Sequence, residues 1–176
     1  MAIAPQTSVD DTQGPALSGQ LDGFVRGALR SYTSEEDPDT GAELAFGCLV
    51  CLGTDEDGGM VKATAAALPA GVVVHSHKYA KPQELGDVGL KSGVTGHVLR
   101  KGTVWVAVEE AVTPGDAVRV RLVATGDELY GAFRTQADST DCAVLAEACW
   151  LTSTDGAGIA LLEIDLTTQG ALTADT

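Results

Sequence analysis

The stretch Gly102-Thr103-Val104-Trp105-Val106-Ala107-Val108-Glu109, followed by Thr113-Pro114-Gly115-Asp116 and Val118-Arg119-Val120-Arg121-Leu122, decides the fold class. Its first part is apolar at consecutive positions and rich in valine, which is stiff at χ1 and packs well on a pleated surface. A central strand with apolar side chains on both faces is predicted over 103–109, with Trp105 in the core. In the second part, proline sets φ at the second turn position and glycine supplies the positive φ that the third position of a type II turn requires, so the chain reverses. In the third part, apolar and basic residues alternate with period two. That pattern predicts a half-buried strand with Arg119 and Arg121 on a wet face.

The same pattern extends in both directions. Residues 43–52 (ELAFGCLVCL) read as a strand closed by the acidic turn 54–59, and residues 71–79 as another, carrying Val72-Val73-Val74. A strand-like run at 128–134 follows the turn at Gly126-Asp127, and Ala160, Leu162, Ile164 and Leu166 alternate with Glu163 and Asp165. Residues 142–151 (CAVLAEACWL) have alanines that suit a helix, but a length and setting that favour a strand. No amphipathic helix of three turns is visible. About eight short strands that must protect their edges predict an all-β fold, a small antiparallel β-barrel or β-sandwich.

A chain of 176 residues with 44% hydrophobic and 20% charged content suits one domain. Eleven Lys and Arg face 25 Asp and Glu, a net charge of -14. Such a surface repels phosphate backbones, so no nucleic-acid partner is expected. No apolar run approaches the roughly 20 residues of a membrane span, so no membrane partner is expected. The start, MAIAPQTSVDDTQGP, has neither a basic nor an apolar leader region, which predicts a soluble protein made in the cytoplasm with reduced thiols. Residues 1–60 hold eleven of the acids and two of the bases, so the acidity is front-loaded. Residues 1–20, rich in Pro, Gly and small polar side chains, are expected to form a flexible N-terminal arm. The body is expected over 21–168 and a flexible C-terminal tail over 169–176.

Candidate sites are few. Cys48 and Cys51 form a C-x-x-C, but on a strand two such residues point to opposite faces, and Cys142 and Cys149 do not complete a zinc spacing. Each cysteine is expected as a small buried hydrophobe. His75 and His77 would share a strand face and could hold a divalent metal with help from Cys48 or Cys51, the main alternative reading; His97 lies apart. The glycines of 86–96 miss both phosphate-loop spacings, and a turn cluster is expected there. The acidic runs at 10–11, 35–39 and 55–57 lack the ligand alternation of an EF-hand and read as solvated loops. No nucleophile elbow occurs, and 5% aromatic content gives little material for a carbohydrate-stacking platform. No catalytic, metal or cofactor-binding residue is assigned, and the chain is expected not to be an enzyme.

The order of segments carries a resemblance. Ala42-Glu43-Leu44-Ala45-Phe46-Gly47, then 69–79 (PAGVVVHSHKY), Gly102-Thr103-Val104-Trp105-Val106, Pro114-Gly115-Asp116-Ala117-Val118, Gly131-Ala132-Phe133-Arg134 and 158–164 (GIALLEI) resemble the structural cement, or head decoration, proteins of tailed double-stranded-DNA phages. Residues 19–31 resemble the family's first segment, so the likeness covers roughly residues 15–166. The resemblance implies a β-barrel or sandwich body, commonly a homotrimer, on the exterior of the virion head. There it would bind the major capsid protein and lock the expanded shell against internal DNA pressure. It implies no catalytic residues, metal or cofactor. Cys48, Cys51 and the acidic loop 35–39 depart from the family pattern.

Overall fold

The computed structural model describes residues 16–23, 27–36, 44–55, 58–76, 89–124, 128–168 and 170–175. Among these residues twelve strands follow in order: β1 (Ala28–Ser34), β2 (Leu44–Ala45), β3 (Leu49–Leu52), β4 (Gly59–Lys62), β5 (Pro69–Val73), β6 (Gly89–Leu90), β7 (Thr95–Val108), β8 (Arg119–Arg121), β9 (Phe133–Arg134), β10 (Cys142–Val144), β11 (Ala148–Trp150) and β12 (Gly158–Asp165). The fold is nearly all β, as the short apolar runs predict. The pairings are mixed, because β1–β4 and β7–β9 run parallel while the other paired strands are antiparallel.

The strand β7 organises the molecule. Its first half pairs with β1 and β5, and the pairings β1–β4–β3–β5–β7–β1 close a five-stranded ring. Its second half leaves the ring and pairs with β12, which carries β11, while β9, β8 and β10 continue the sheet from its end. Two cores result. Val50, Met60, Ala70, Val73 and Val98 meet Leu44, Phe46 and Leu90 in one, over which the small β2–β6 sheet lies. Leu49, Val72 and Leu99 meet Val104, Val106, Val120, Phe133, Leu162 and Trp150 in the other. Adjacent valines of β5 thus serve different cores, and every residue of this strand is buried.

Strand β7 is central, but its second half is covered on one face only. Val104, Val106 and Val108 are buried, whereas Trp105 is half-buried and Ala107 exposed. The expected core placement of Trp105 is therefore corrected. Among the described residues, the small β2–β6 sheet lies over the ring alone and nothing comparable lies over residues 103–107. Trp150 is the core tryptophan, 2% exposed and edge-on to Phe133 at 6.3 Å.

Several predicted strands are shorter or broken, among them 71–79, whose strand β5 ends at Val73. Residues 43–52 bend at Phe46-Gly47, where Gly47 has φ of 80°, and give β2 and β3. Residues 142–151 turn at Ala146-Glu147 and give β10 and β11. Of 128–134 only β9 pairs, wedged between β7 and β8. The turn at 113–116 forms as read: Gly115 has φ of 103° and the Asp116 N–H donates to the Thr113 carbonyl at 3.0 Å.

The chain ends are partly built into the body. Residues 1–15 of the expected arm lie outside the described residues. The Gly19 N–H donates to the Trp105 carbonyl and the Trp105 N–H to the Gln20 carbonyl, which lays residues 19–20 along the β7 edge. Residues 170–175 are not a free tail. Leu172 is 1% exposed in the larger core, Ala174 bridges to Ala143, and Asp175 pairs with Arg119 at 2.8 Å. One large aliphatic side chain with a place in the core outweighs the polar residues around it.

Candidate functional site

Among the described residues, those singled out by spacing do not assemble into one site. His75 stands beyond the end of β5, half-buried, with its N–H donating to the Gly19 carbonyl and its ring 4.9 Å from that of Phe46. His77 lies outside the described residues. His97 is exposed, its Nδ1 3.0 Å from Ser31 Oγ. Cys48 and Cys51 are free and buried on opposite sides of the chain. Cys51 lies in the larger core, and Cys48 lines an apolar recess of about 220 Å³ with Leu44, Val50, Lys62, Leu129 and Tyr130. Burial, with the Glu109 charge adding to it, pushes the Cys48 thiol up to about 12, so it stays protonated and unreactive. Cys142 is buried too, but Cys149 is exposed, against expectation, because it falls on the outward face of the edge strand β11; its Sγ lies 3.7 Å from Glu163 Oε2. Among the described residues no three His, Cys, Asp or Glu side chains converge as metal ligands would.

The acidic segments are partly structural. The Glu35 carboxylate accepts the Thr54 and Asp55 N–H groups at 2.9 and 2.8 Å, which holds its pKa below the ordinary carboxylate value and ties β1 to the turn after β3. Glu36 is buried and accepts the Lys62 N–H at 2.6 Å.

The densest polar assembly is one that period-two reading placed in water. Arg121 is 3% exposed. Its Nε and Nη2 donate to the two Glu109 oxygens at 2.7 and 2.8 Å, a bidentate fork, and its Nη1 lies 2.9 Å from Glu128 and 3.3 Å from Asp138. Arg134 adds a 3.0 Å bond to Asp138 and a 3.4 Å contact with Glu109. Glu110 accepts the Thr135 and Gln136 N–H groups at 2.8 and 2.7 Å. Burial raises the Glu110 carboxyl, but these donors and Arg134 outweigh it and hold the pKa low. Arg119 donates to the Thr135 carbonyl. The expectation of wet faces for Arg119 and Arg121 is thus corrected: carboxylates from four chain segments converge on that face, burying the Arg121 guanidinium and half-burying Arg119. The Glu109-Glu110 doublet was the available signal, but the insertion of β9 that brings Arg134 to it was not legible. Chemically the assembly clamps β8, β9 and the end of β7 together, and it holds its charges saturated rather than poised for reaction.

Comparison with known proteins places this architecture. A family model described as structural cement protein (E217 gp24/Pam3 gp6) matches residues 5–167. No curated protein matches the chain. Among solved structures, a chain from the capsid of Myoviridae phage XM1 aligns with a TM-score of 0.65 at 16% identity, over 93% of this chain and 98% of its own. The N base of head fiber gp8.5 in bacteriophage phi29 aligns at 0.46 and 12% identity, over 79% and 94%. The XM1 likeness is one of fold, and the family match spans both cores and the ion-paired clamp. The chain therefore belongs to the structural cement protein family of phages.

Proposed function

We propose that this protein attaches to the exterior of a tailed-phage head and stabilises the mature shell by bridging neighbouring major capsid proteins against the pressure of packaged DNA. The family match over residues 5–167 carries this reading. The structure supports it in two ways. Two cores and a saturated ion-pair clamp make a stiff body, and a bridge transmits load only if it does not yield. The net charge of -14 also disfavours a place beside packed DNA and suits the outer surface.

Many weak attachments reinforce a shell because each adds interface that must break before the shell opens, and a homotrimer would multiply contacts at one location. The front-loaded acidity directs the first sixty residues to basic or polar capsid surface, so attachment should weaken with salt. No nucleic acid, membrane, metal or cofactor enters this reading, nor does catalysis. Co-sedimentation of the purified chain with expanded, empty heads tests it, with light scattering to give the oligomer mass. Saturable binding that falls with salt supports the reading, and absence of binding at micromolar protein contradicts it.

A further inference from the structure

Beyond the reach of β2–β6, the outward positions of β7, β12 and β11 form a sheet face that no described residue covers. Leu161 pairs in register with Trp105, and the Leu151 N–H donates to the Leu161 carbonyl, so Leu151, Leu161 and Trp105 make one row across three strands. Ala107 and Ile159 pair in the next row. Leu151 is 42% exposed, Ala107 is exposed, and Trp105, Leu161 and Ile159 are half-buried. Contiguous apolar residues on an open face mark interaction surface more often than scattered ones do. Among the described residues β11 pairs only with β12, which leaves its other edge open beside Leu151.

One margin of this face is acidic. The adjoining row runs Cys149, Glu163, Thr103, and the Thr103 hydroxyl is buried with no hydrogen-bond partner. Glu147, Glu163 and Asp22 are exposed there, and among the described residues the cation of that margin, Lys101, is held by Asp165 at 2.5 Å.

We infer that this face is where the body docks on the capsid, against a protein surface with an apolar centre and a Lys/Arg rim, and that it is not a contact between copies of this chain. The inference rests on the cement reading. A half-buried tryptophan flanked by leucines is the kind of anchor that supplies most of an interface's binding energy. The acidic margin selects a basic rim. A second copy is a poorer occupant, because a two-fold contact whose axis crosses the rows would set the Glu147 and Glu163 margins against like charge, and any other two-fold would leave them without a basic partner. Most described bases are also engaged: Arg119 with Asp175, Arg121 and Arg134 with Glu109, Lys101 with Asp165 and Arg100 with the Leu166 carbonyl.

The test uses the full chain and expanded, empty heads of the same phage. Leu151→Glu and Ala107→Glu change exposed positions, so folding checked by melting should hold, while head binding weakens about tenfold or more for each. Glu163→Lys should weaken binding and flatten its salt dependence, whereas Leu68→Glu, an exposed leucine outside this face, should stay within about twofold of wild type. Binding of both face variants at wild-type strength overturns the proposal, as does equal loss from Leu68→Glu. Conversion of an oligomer to a monomer by the face variants, with head binding kept, assigns the face to a second copy and also overturns it. Failure of the wild type to bind sinks the cement reading and this inference together; wild-type binding with unaffected variants sinks the inference alone.

Discussion

At the scale of single residues, Arg121 shows how a buried charge becomes a structural part. A guanidinium 3% exposed is costly unless its nitrogens are met, and the Glu109 fork with Glu128 and Asp138 gives each nitrogen a carboxylate partner. Arg121→Met should cost roughly 3 kcal/mol in urea unfolding, since it strands partners already drawn together. Arg121→Lys should recover little of that, because an ammonium cannot fork; a lysine variant as stable as wild type would contradict this. Glu110 gives a pH signature. Its folded pKa lies below the ordinary 4.5, so its contribution is complete above that value and is lost as pH falls toward the folded one. Glu110→Gln should lower the melting temperature at pH 7 and flatten its decline below about pH 4.5; a parallel decline in both proteins would refute the role. Alternation in 118–122 correctly put Val118, Val120 and Leu122 inside. It could not tell whether the opposite face met water, since the partners of Arg121 come from distant segments.

At the scale of elements, the legible parts were those whose periodicity is local. The alternation at 160–166 became β12, and Pro114-Gly115 became the turn, because neighbouring residues alone determine both. Residues 43–52 misled because the bend at Gly47 is hidden inside an apolar run. The stretch 103–109 misled in a different way. An all-apolar strand is equally consistent with two covered faces and with one covered face plus a docking surface. The C-terminal segment was read as free because its one anchor, Leu172, is a single residue among polar ones. Leu172→Ala should therefore destabilise the whole domain by about 2–5 kcal/mol, as deletion of a core leucine does, rather than leave it unchanged as in a free tail. Gly19 is the matching anchor at the other end. It has φ of 80°, and a Cβ there would meet the backbone of Val73, Gly47 and His75 at 2.7–2.8 Å. Gly19→Ala should release residues 16–22 to limited proteolysis while the cores stay resistant; an unchanged cleavage pattern would show that this anchor is dispensable.

At the scale of the whole molecule, a five-stranded ring, an open sheet and an ion-paired clamp share one long strand, so load applied to the sheet reaches the ring through continuous backbone. That suits a protein whose work is to resist deformation. Among the described residues the candidate redox pair is split, with Cys51 in the larger core and Cys48 in a separate recess, and His75 sits beyond the end of its strand. The family resemblance was carried by the order of turns and valine-rich strands, which the architecture preserves, whereas the capsid-facing surface depends on where a second layer stops and leaves no local mark in the sequence. The work proposed for this protein is mechanical. The most direct measurement is the temperature at which DNA-filled heads release their genome, with and without the bound protein. Occupied heads should hold their DNA to a higher temperature, by an amount that grows with occupancy; equal release temperatures at full occupancy would contradict the account.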